Sequence, residues 1–341
     1  MVKDGSSYKV KSFIVNQYLK KTLYFALHFH KTNNRMKIVF MGTPEFAVPS
    51  LDILVKSGYD IVGVVTATDK LGGRGGKQLI QSAVKQYALE HQLLVLQPEK
   101  LKSPEFIEIL RGLGADLFIV VAFRMLPEVV WTMPRLGTMN LHGSLLPKYR
   151  GAAPINWAII KGEKETGVTT FFLKHEIDTG DVLFMEKLSI GEEDTVGDIH
   201  DRMMALGAET VLKSVKTIEK GVYVLQPQMD TEATHAPKIF TETCEINFSH
   251  TTEQVHNFIR GLSPYPTAWT MLDGLKLKVF KTSKEITPPQ VPLGTFESDN
   301  KNYVRVATFD GYIHLLDVQL EGRKRMLIKD FLNGYRFSMI P

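Results

Sequence analysis

Short apolar runs recur through the first half of the chain, at residues 38–41, 61–65, 117–122, 138–142 and 168–173, each bounded by polar or glycine-bearing stretches. Runs of this length and composition predict strands buried on both faces. Between and after them, residues 46–57, 80–91 and 195–220 space their apolar positions as amphipathic helices do. The alternation predicts an α/β fold, a Rossmann-like and mainly parallel sheet with helices on both faces. Beyond Gln226-Pro-Gln-Met a polar linker leads to Ala236-Pro-Lys-Ile, and from about Asn247 onward short β-rich runs and turns dominate. That region reads as a small β-barrel. The expected layout is a first domain over 36–225, a linker over 226–241 and a barrel domain over 242–341.

Composition narrows the class. A chain of 341 residues, 44% hydrophobic and 23% charged, suffices for a large domain and a small one. The single cysteine, Cys244, excludes an intrachain disulfide and a thiolate metal cluster, and reads as a buried small hydrophobe. The ten histidines are scattered, without His-Glu-x-x-His spacing, so the expectation is metal-free chemistry in the cytoplasm. The net charge of +4 is misleading: residues 1–35 hold seven Lys or Arg and one Asp, leaving 34 basic and 36 acidic residues, about −2, for the rest. Nucleic-acid binding must then rest on local clusters, of which Arg323-Lys-Arg325 with Lys329 and the glycine-rich stretch around Lys70, Arg74 and Lys77 stand out. A short basic cluster is by default a solvated face. Residues 1–35 fit no folded element, their apolar stretch at 23–27 is too short to span a membrane, and Ser and Arg are sparse for a transit peptide. They read as a non-native or disordered upstream extension, with Met36 the functional start.

The chemistry concentrates in Asn140-Leu-His142-Gly-Ser-Leu-Leu-Pro-Lys-Tyr-Arg-Gly-Ala-Ala-Pro154 and Glu176-Ile-Asp178-Thr-Gly-Asp181. Residues two apart on a strand share a face, so Asn140 and His142 project together from the carboxyl end of the 138–142 run. Open α/β sheets bind ligands at that end. Asp178 follows the 168–173 run and reaches the histidine if the two strands are close. An amide N–H suits an oxyanion that forms only in the transition state, and an imidazole oriented by a carboxylate can donate to the same oxygen or move a proton. Ser144 lacks the Gly-x-Ser-x-Gly elbow, and no other activated Ser or Cys stands nearby, so direct attack by a substrate amine on a small carbonyl fits best. The bland alternatives are a hydrogen-bonded core pair for Asn-x-His and a turn former for the Asp. Met41-Gly-Thr-Pro-Glu-Phe carries no Gly-x-Gly-x-x-Gly, and Gly72-Gly-Arg-Gly-Gly-Lys77 fails as a phosphate-binding loop because Leu71 and Gln78 occupy the required Gly and Ser/Thr positions.

In combination, Asn-x-His-Gly-Ser-Leu-Leu-Pro, Arg-Gly-Ala-Ala-Pro and Asp-Thr-Gly-Asp closely resemble the methionyl-tRNA formyltransferases. The resemblance runs from Lys37-Ile-Val-Phe-Met-Gly-Thr-Pro-Glu-Phe through Gly72–Lys77, Ile119-Val-Val-Ala122 and Glu165-Thr-Gly-Val168 to Ile259-Arg-Gly-Leu-Ser-Pro-Tyr-Pro266. It implies catalytic roles for Asn140, His142 and Asp178, and folate contacts from Ser144, Leu145, Leu146 and Pro147. It also implies that Arg74 and Lys77 grip tRNA and that the carboxyl-terminal barrel is OB-like and binds tRNA. The implied reaction passes the formyl group of 10-formyltetrahydrofolate, a consumed co-substrate, to the methionine α-amine of initiator tRNA, by an enzyme expected to be a monomer. Two positions depart from the family pattern: the loop Ala122–Pro127 is shortened, and Glu176 stands where glycine is common, so that it either perturbs the site or points to water. A formyltransferase for an amino-sugar nucleotide, or a tRNA-binding protein with a vestigial catalytic half, would share parts of this pattern.

Overall fold

In a computed structural model the chain divides into two compact units, Met1–Leu141 with Val215–Val222 and His142–Ser214 with Tyr223–Pro341; residues 35–72 and 78–337 are described. The expected extension over 1–35 lies, apart from Arg35, outside the described residues. Among the described residues no helix is long and apolar enough to cross a membrane.

The first unit runs β1 (Lys37–Gly42), α1 (Val48–Lys56), β2 (Asp60–Val65), β3 (Lys70–Gly72), β4 (Gln78–Ile80), α2 (Ala83–Glu90), β5 (Val95–Leu96), α3 (Pro104–Gly112), β6 (Leu117–Val121), α4 (Glu128–Trp131) and β7 (Thr138–His142). Its main strands lie in the order β5-β2-β1-β6-β7, every pair parallel. The chain winds from β1 outward to β5, then to the other side through β6 to β7, the doubly wound pattern that places crossover helices on both faces. Ile38, Val39, Phe40 and Met41 are accordingly all at 0% exposure, as a strand covered on both faces requires. The sequence misplaces two helix starts. Glu45–Ala47 forms a 3-10 turn before α1, whose proline sits in the first turn where its missing N–H costs nothing. Ile80 ends β4 instead of opening a helix, and α2 begins after Ser82, whose side chain accepts from Lys85 N at 3.1 Å.

Beyond β7, β8 (Arg150–Gly151) is followed by α5 (Pro154–Ile160), β9 (Glu165–Phe172), β10 (Val182–Ser189), α6 (Val196–Lys220), whose residues from Val215 onward belong to the first unit, and β11 (His235–Ala236). β9 and β10 pair antiparallel, and β8 pairs in parallel with β11. After α7 (Thr252–Arg260) come β12 (Ala268–Leu272), β13 (Leu275–Glu285), β14 (Phe296–Ser298), β15 (Val304–Ala307), β16 (Tyr312–Leu320), β17 (Met326–Leu327) and α8 (Ile328–Asn333). The six strands from β12 to β17 make an antiparallel sheet ordered β12-β13-β16-β15-β14, with β17 on β16. Its register shifts at Val279/Lys281 and Lys281/Thr282, the irregularities by which a long strand bends a sheet around a core. This is the OB-like element, filled by Ile246, Val255, Ile259, Val279, Val306, Ile313, Val318 and Phe331.

α7 adds a helix to this β-rich region. Thr251 and Gln254 form a reciprocal capping box, and the helix buries Val255 and Ile259, one turn apart. Removing the cap by Thr251→Ala should cost about 1 kcal/mol of unfolding free energy in urea titration. At the end of α7, Arg260 is 4% exposed and donates to Asn257 Oδ1 at 2.8 Å, Asp194 O at 2.9 Å and Gly191 O at 3.2 Å. A buried cation is tolerated because these acceptors replace water. The Ile259-Arg-Gly motif therefore fastens this helix to the turn after β10.

Candidate active site

β7 pairs with β6 through Val120↔Asn140 and Val121↔Leu141, so Asn140 and His142 lie two residues apart on one face at the strand's carboxyl end. Asn140 is half-buried, and among the described residues its amide has no hydrogen-bond partner, which leaves both N–H donors available. His142 is 7% exposed, and its Nε2 lies 2.9 Å from the carbonyl oxygen of Tyr149. A carbonyl only accepts, so Nε2 carries hydrogen and Nδ1 is the nitrogen open to proton exchange.

Nδ1 faces Asp178 Oδ2 at 3.8 Å, with the aspartate side chain 10% exposed. The separation exceeds a hydrogen bond, so the carboxylate faces the ring without bonding to it directly. The same Oδ2 accepts from Gly151 N at 2.9 Å. Orientation is therefore divided differently from the sequence expectation: the Tyr149 carbonyl fixes the ring, and the Gly151 amide fixes the carboxylate. Tyr149 is itself held, its N–H donating to Thr234 Oγ1 at 2.8 Å and its hydroxyl to Glu163 Oε1 at 2.7 Å. Burial, and then the Glu163 carboxylate, push the Tyr149 phenol well above its ordinary value, so it stays protonated as that donor.

Asp178 sits on the turn after β9 with φ of 56°, in the left-handed region that Asp tolerates better than most residues. Gly180 ends the turn where no side chain fits: a Cβ there would stand 1.6 Å from the Phe172 carbonyl oxygen. The turn's carbonyls are taken up by Gln228, whose Nε2 lies 2.8 Å from both Asp178 O and Gly180 O. Arg150 in turn donates to Gln228 Oε1 from Nη2 at 2.8 Å and Nε at 3.1 Å. Sequence reasoning placed Gln228 in a linker and gave Arg150 no role, because nothing local links partners 78 residues apart. Glu176 is exposed, and Thr179 Oγ1 donates to its carbonyl at 3.0 Å; its charge points to water.

The loop Ser144 to Pro147 divides by side chain. Ser144 is 0% exposed, its hydroxyl donating to Lys148 O at 2.6 Å, and Leu146 is 3% exposed among Phe171 and Val182. Thr169 Oγ1 donates to Ser144 O at 2.6 Å and accepts from Leu146 N at 3.1 Å. Leu145 and Pro147 remain half-buried. Ser144 and Leu146 are thus spent on holding the loop, and the side chains able to meet a ligand are Leu145 and Pro147. In the first unit, the shortened Ala122–Pro127 loop is pinned by Arg124, whose guanidinium donates to Glu99 O at 2.9 Å and to Pro98 O. Arg74 and Lys77 lie outside the described residues. Of the second basic cluster, Arg325 is bound to Asp317 at 2.7 Å, and Arg323 donates to Gly334 O at 3.2 Å. Those two charges serve the local fold.

Comparison with known proteins identifies the family. A sequence profile described as formyl transferase matches residues 36–215, and one described as formyl transferase, C-terminal domain, matches residues 238–336. The methionyl-tRNA formyltransferase of Azobacteroides pseudotrichonymphae is 53% identical over 319 residues, 90% of this chain and 98% of that protein. That of Parabacteroides distasonis is 53% identical over 311 residues, 88% and 96% of the two chains. Among solved structures, the N-formyltransferase from Helicobacter canadensis, in complex with folinic acid and dTDP-3-aminofucose, aligns with a TM-score of 0.62 at 21% identity over 85% of this chain and all of that one. At that identity the likeness is one of fold. Both halves of the chain match, with relatives more than half identical across nine tenths of its length, and the chain belongs to the formyl transferases, in the methionyl-tRNA formyltransferase family.

Proposed function

We propose that Asn140, His142 and Asp178 carry out formyl transfer from 10-formyltetrahydrofolate to the methionine α-amine of initiator tRNA. The amine lone pair forms the new C–N bond while the formyl C=O pair moves onto oxygen. Asn140 donates to that oxygen, and protonated His142, supported by the Asp178 carboxylate, donates to it as well. His142 gives its Nδ1 proton to N10 of the folate and takes up the proton shed by the attacking nitrogen, and the bond from N10 to the formyl carbon breaks as the pair on oxygen re-forms the C=O. Tetrahydrofolate and the formylated methionyl-tRNA are the products. Alignment of the two substrates within about 3–3.5 Å supplies as much as the proton chemistry.

Leu145 and Pro147, with the backbone from Ser144 to Leu146, form one wall for the folate in this reading. Arg74 and Lys77, in the sequence between β3 and β4, contact the tRNA phosphates. Residues 242–341 bind tRNA as well, and the enzyme acts in the cytoplasm as a monomer. The observation that carries a tRNA substrate over a small amine is the extent of the match, 53% identity across 90% of the chain to a protein named for methionyl-tRNA. The competing substrate is an amino-sugar nucleotide. Offered equal concentrations of methionine-charged initiator tRNA and an amino-sugar nucleotide, the enzyme should formylate the tRNA at an undiminished rate. Formyl product on the sugar would replace this reading with a small-amine formyltransferase.

A further inference from the structure

Gln228 lies outside the reacting groups, yet every polar valence of its amide serves the turn that carries Asp178. Its two N–H donors go to Asp178 O and Gly180 O, each at 2.8 Å, and its oxygen accepts from Arg150 Nη2 at 2.8 Å and Nε at 3.1 Å. An amide has two donor hydrogens and two acceptor lone pairs, so this side chain is saturated. Arg150 is 9% exposed, and its remaining partner, Asp230 at 2.8 Å, is 80% exposed on its side chain. The neighbouring residue of β8, Gly151, donates its own N–H to Asp178 Oδ2 at 2.9 Å. Gly151 is wedged against β11, where a Cβ would meet Ala236 O at 2.6 Å. β8 therefore holds Asp178 twice, by its carboxylate directly and by its backbone through Gln228.

We propose that Gln228 is a positioning residue for formyl transfer: locked by Arg150, it sets the height of the Asp178 turn and so the distance from the carboxylate to His142 Nδ1. The inference rests on the catalytic reading above. The turn needs such a clamp because Asp178 adopts a left-handed φ of 56°, a conformation that persists in a non-glycine residue when its surroundings over-determine it. Without the two donors the turn carbonyls turn to solvent, and a displacement of about 1 Å at the carboxylate is enough for about a 100-fold loss.

The test is a double-mutant cycle on the full-length enzyme. Gln228→Ala, and separately Gln228→Glu, which keeps the volume and the arginine contact but removes both donors, are made alone and in an Asp178→Ala background. Single-turnover formylation, KM for each substrate and thermal unfolding are measured. The expected result is a fall in kcat of about 100-fold for either variant in the native background, with both KM values nearly unchanged. In the Asp178→Ala background the same substitution should change the residual rate by less than about twofold, since its route of action is already gone. Asp230→Asn, which leaves the Gln228 bonds in place, should keep native kcat. Equal losses in both backgrounds, a rise in KM in place of a fall in kcat, or native kcat for Gln228→Glu would each overturn the proposal. An Asp178→Ala enzyme of native activity would overturn the catalytic reading and the proposal together, whereas an inactive Asp178→Ala beside an active Gln228→Glu defeats this proposal alone.

Discussion

Replacing His142 by alanine should lower the single-turnover rate of formyl transfer by about 1,000-fold while leaving tRNA and folate affinities within a few fold. The ring is 7% exposed and its Nδ1 faces Asp178 at 3.8 Å, and in the proposed mechanism its removal takes away both the proton carrier and one oxyanion donor. Proton transfer by a placed group contributes about 10²–10⁴-fold, and one oxyanion donor about 10²–10³-fold. The two losses overlap because one ring serves both steps, which is why the expected effect lies inside these ranges and not at their product. The substitution also leaves the Tyr149 carbonyl without its donor at 2.9 Å, a loss of about 1–3 kcal/mol for a buried acceptor. Thermal unfolding measured in parallel separates the two consequences. A folded His142→Ala enzyme with a native rate would remove the histidine from the mechanism.

Phe171→Ala should destabilise the protein by about 3–5 kcal/mol. Phe171 is 0% exposed on β9 and packs against Leu146 and Val182, so truncation leaves a cavity beneath the Ser144 to Pro147 loop as well as losing apolar burial. Little can fill the space, because Leu146 is fastened by its N–H to Thr169 Oγ1 at 3.1 Å and Val182 by its N–H to Gln226 O at 2.8 Å. With total stabilities of about 5–15 kcal/mol, the variant would retain only a modest margin. Urea unfolding would show the loss as a lower midpoint at an unchanged slope. A cost below about 1.5 kcal/mol would mean that the loop collapses into the cavity, in which case the folate KM should rise.

The parallel sheet was legible because strands buried on both faces have to be apolar throughout. The run at 138–142 coincides with β7, and those at 38–41, 61–65 and 117–122 fall within a residue of β1, β2 and β6. Helix starts were less legible, since 80–82 is apolar and polar in no helical order and Ile80 is claimed by a two-stranded hairpin. α7 could have been read: Thr251-Thr-Glu-Gln254 carries the capping-box spacing, but a β-rich neighbourhood outweighed it. At the candidate site, the period of two put Asn140 and His142 on one face, while the approach of Asp178 to His142 joins residues 36 positions apart in sequence, which no local pattern states. Gln228 was invisible for the same reason in stronger form. Its partners, Arg150 and the Asp178 turn, are 78 and 50 residues away, and a glutamine between Pro227 and Met229 reads as linker until its hydrogen bonds are counted. The inward turn of Ser144 and Leu146 likewise follows from Thr169, a residue on another strand.

The most direct measurement mixes the enzyme with 10-formyltetrahydrofolate labelled at the formyl carbon and methionine-charged initiator tRNA, and follows label in the methionine over a single turnover. Rapid appearance of label on the tRNA with the native enzyme, and its loss in the folded His142→Ala variant, is the predicted result. Label that stays on the folate with the native enzyme, or that transfers equally well without His142, would contradict the account.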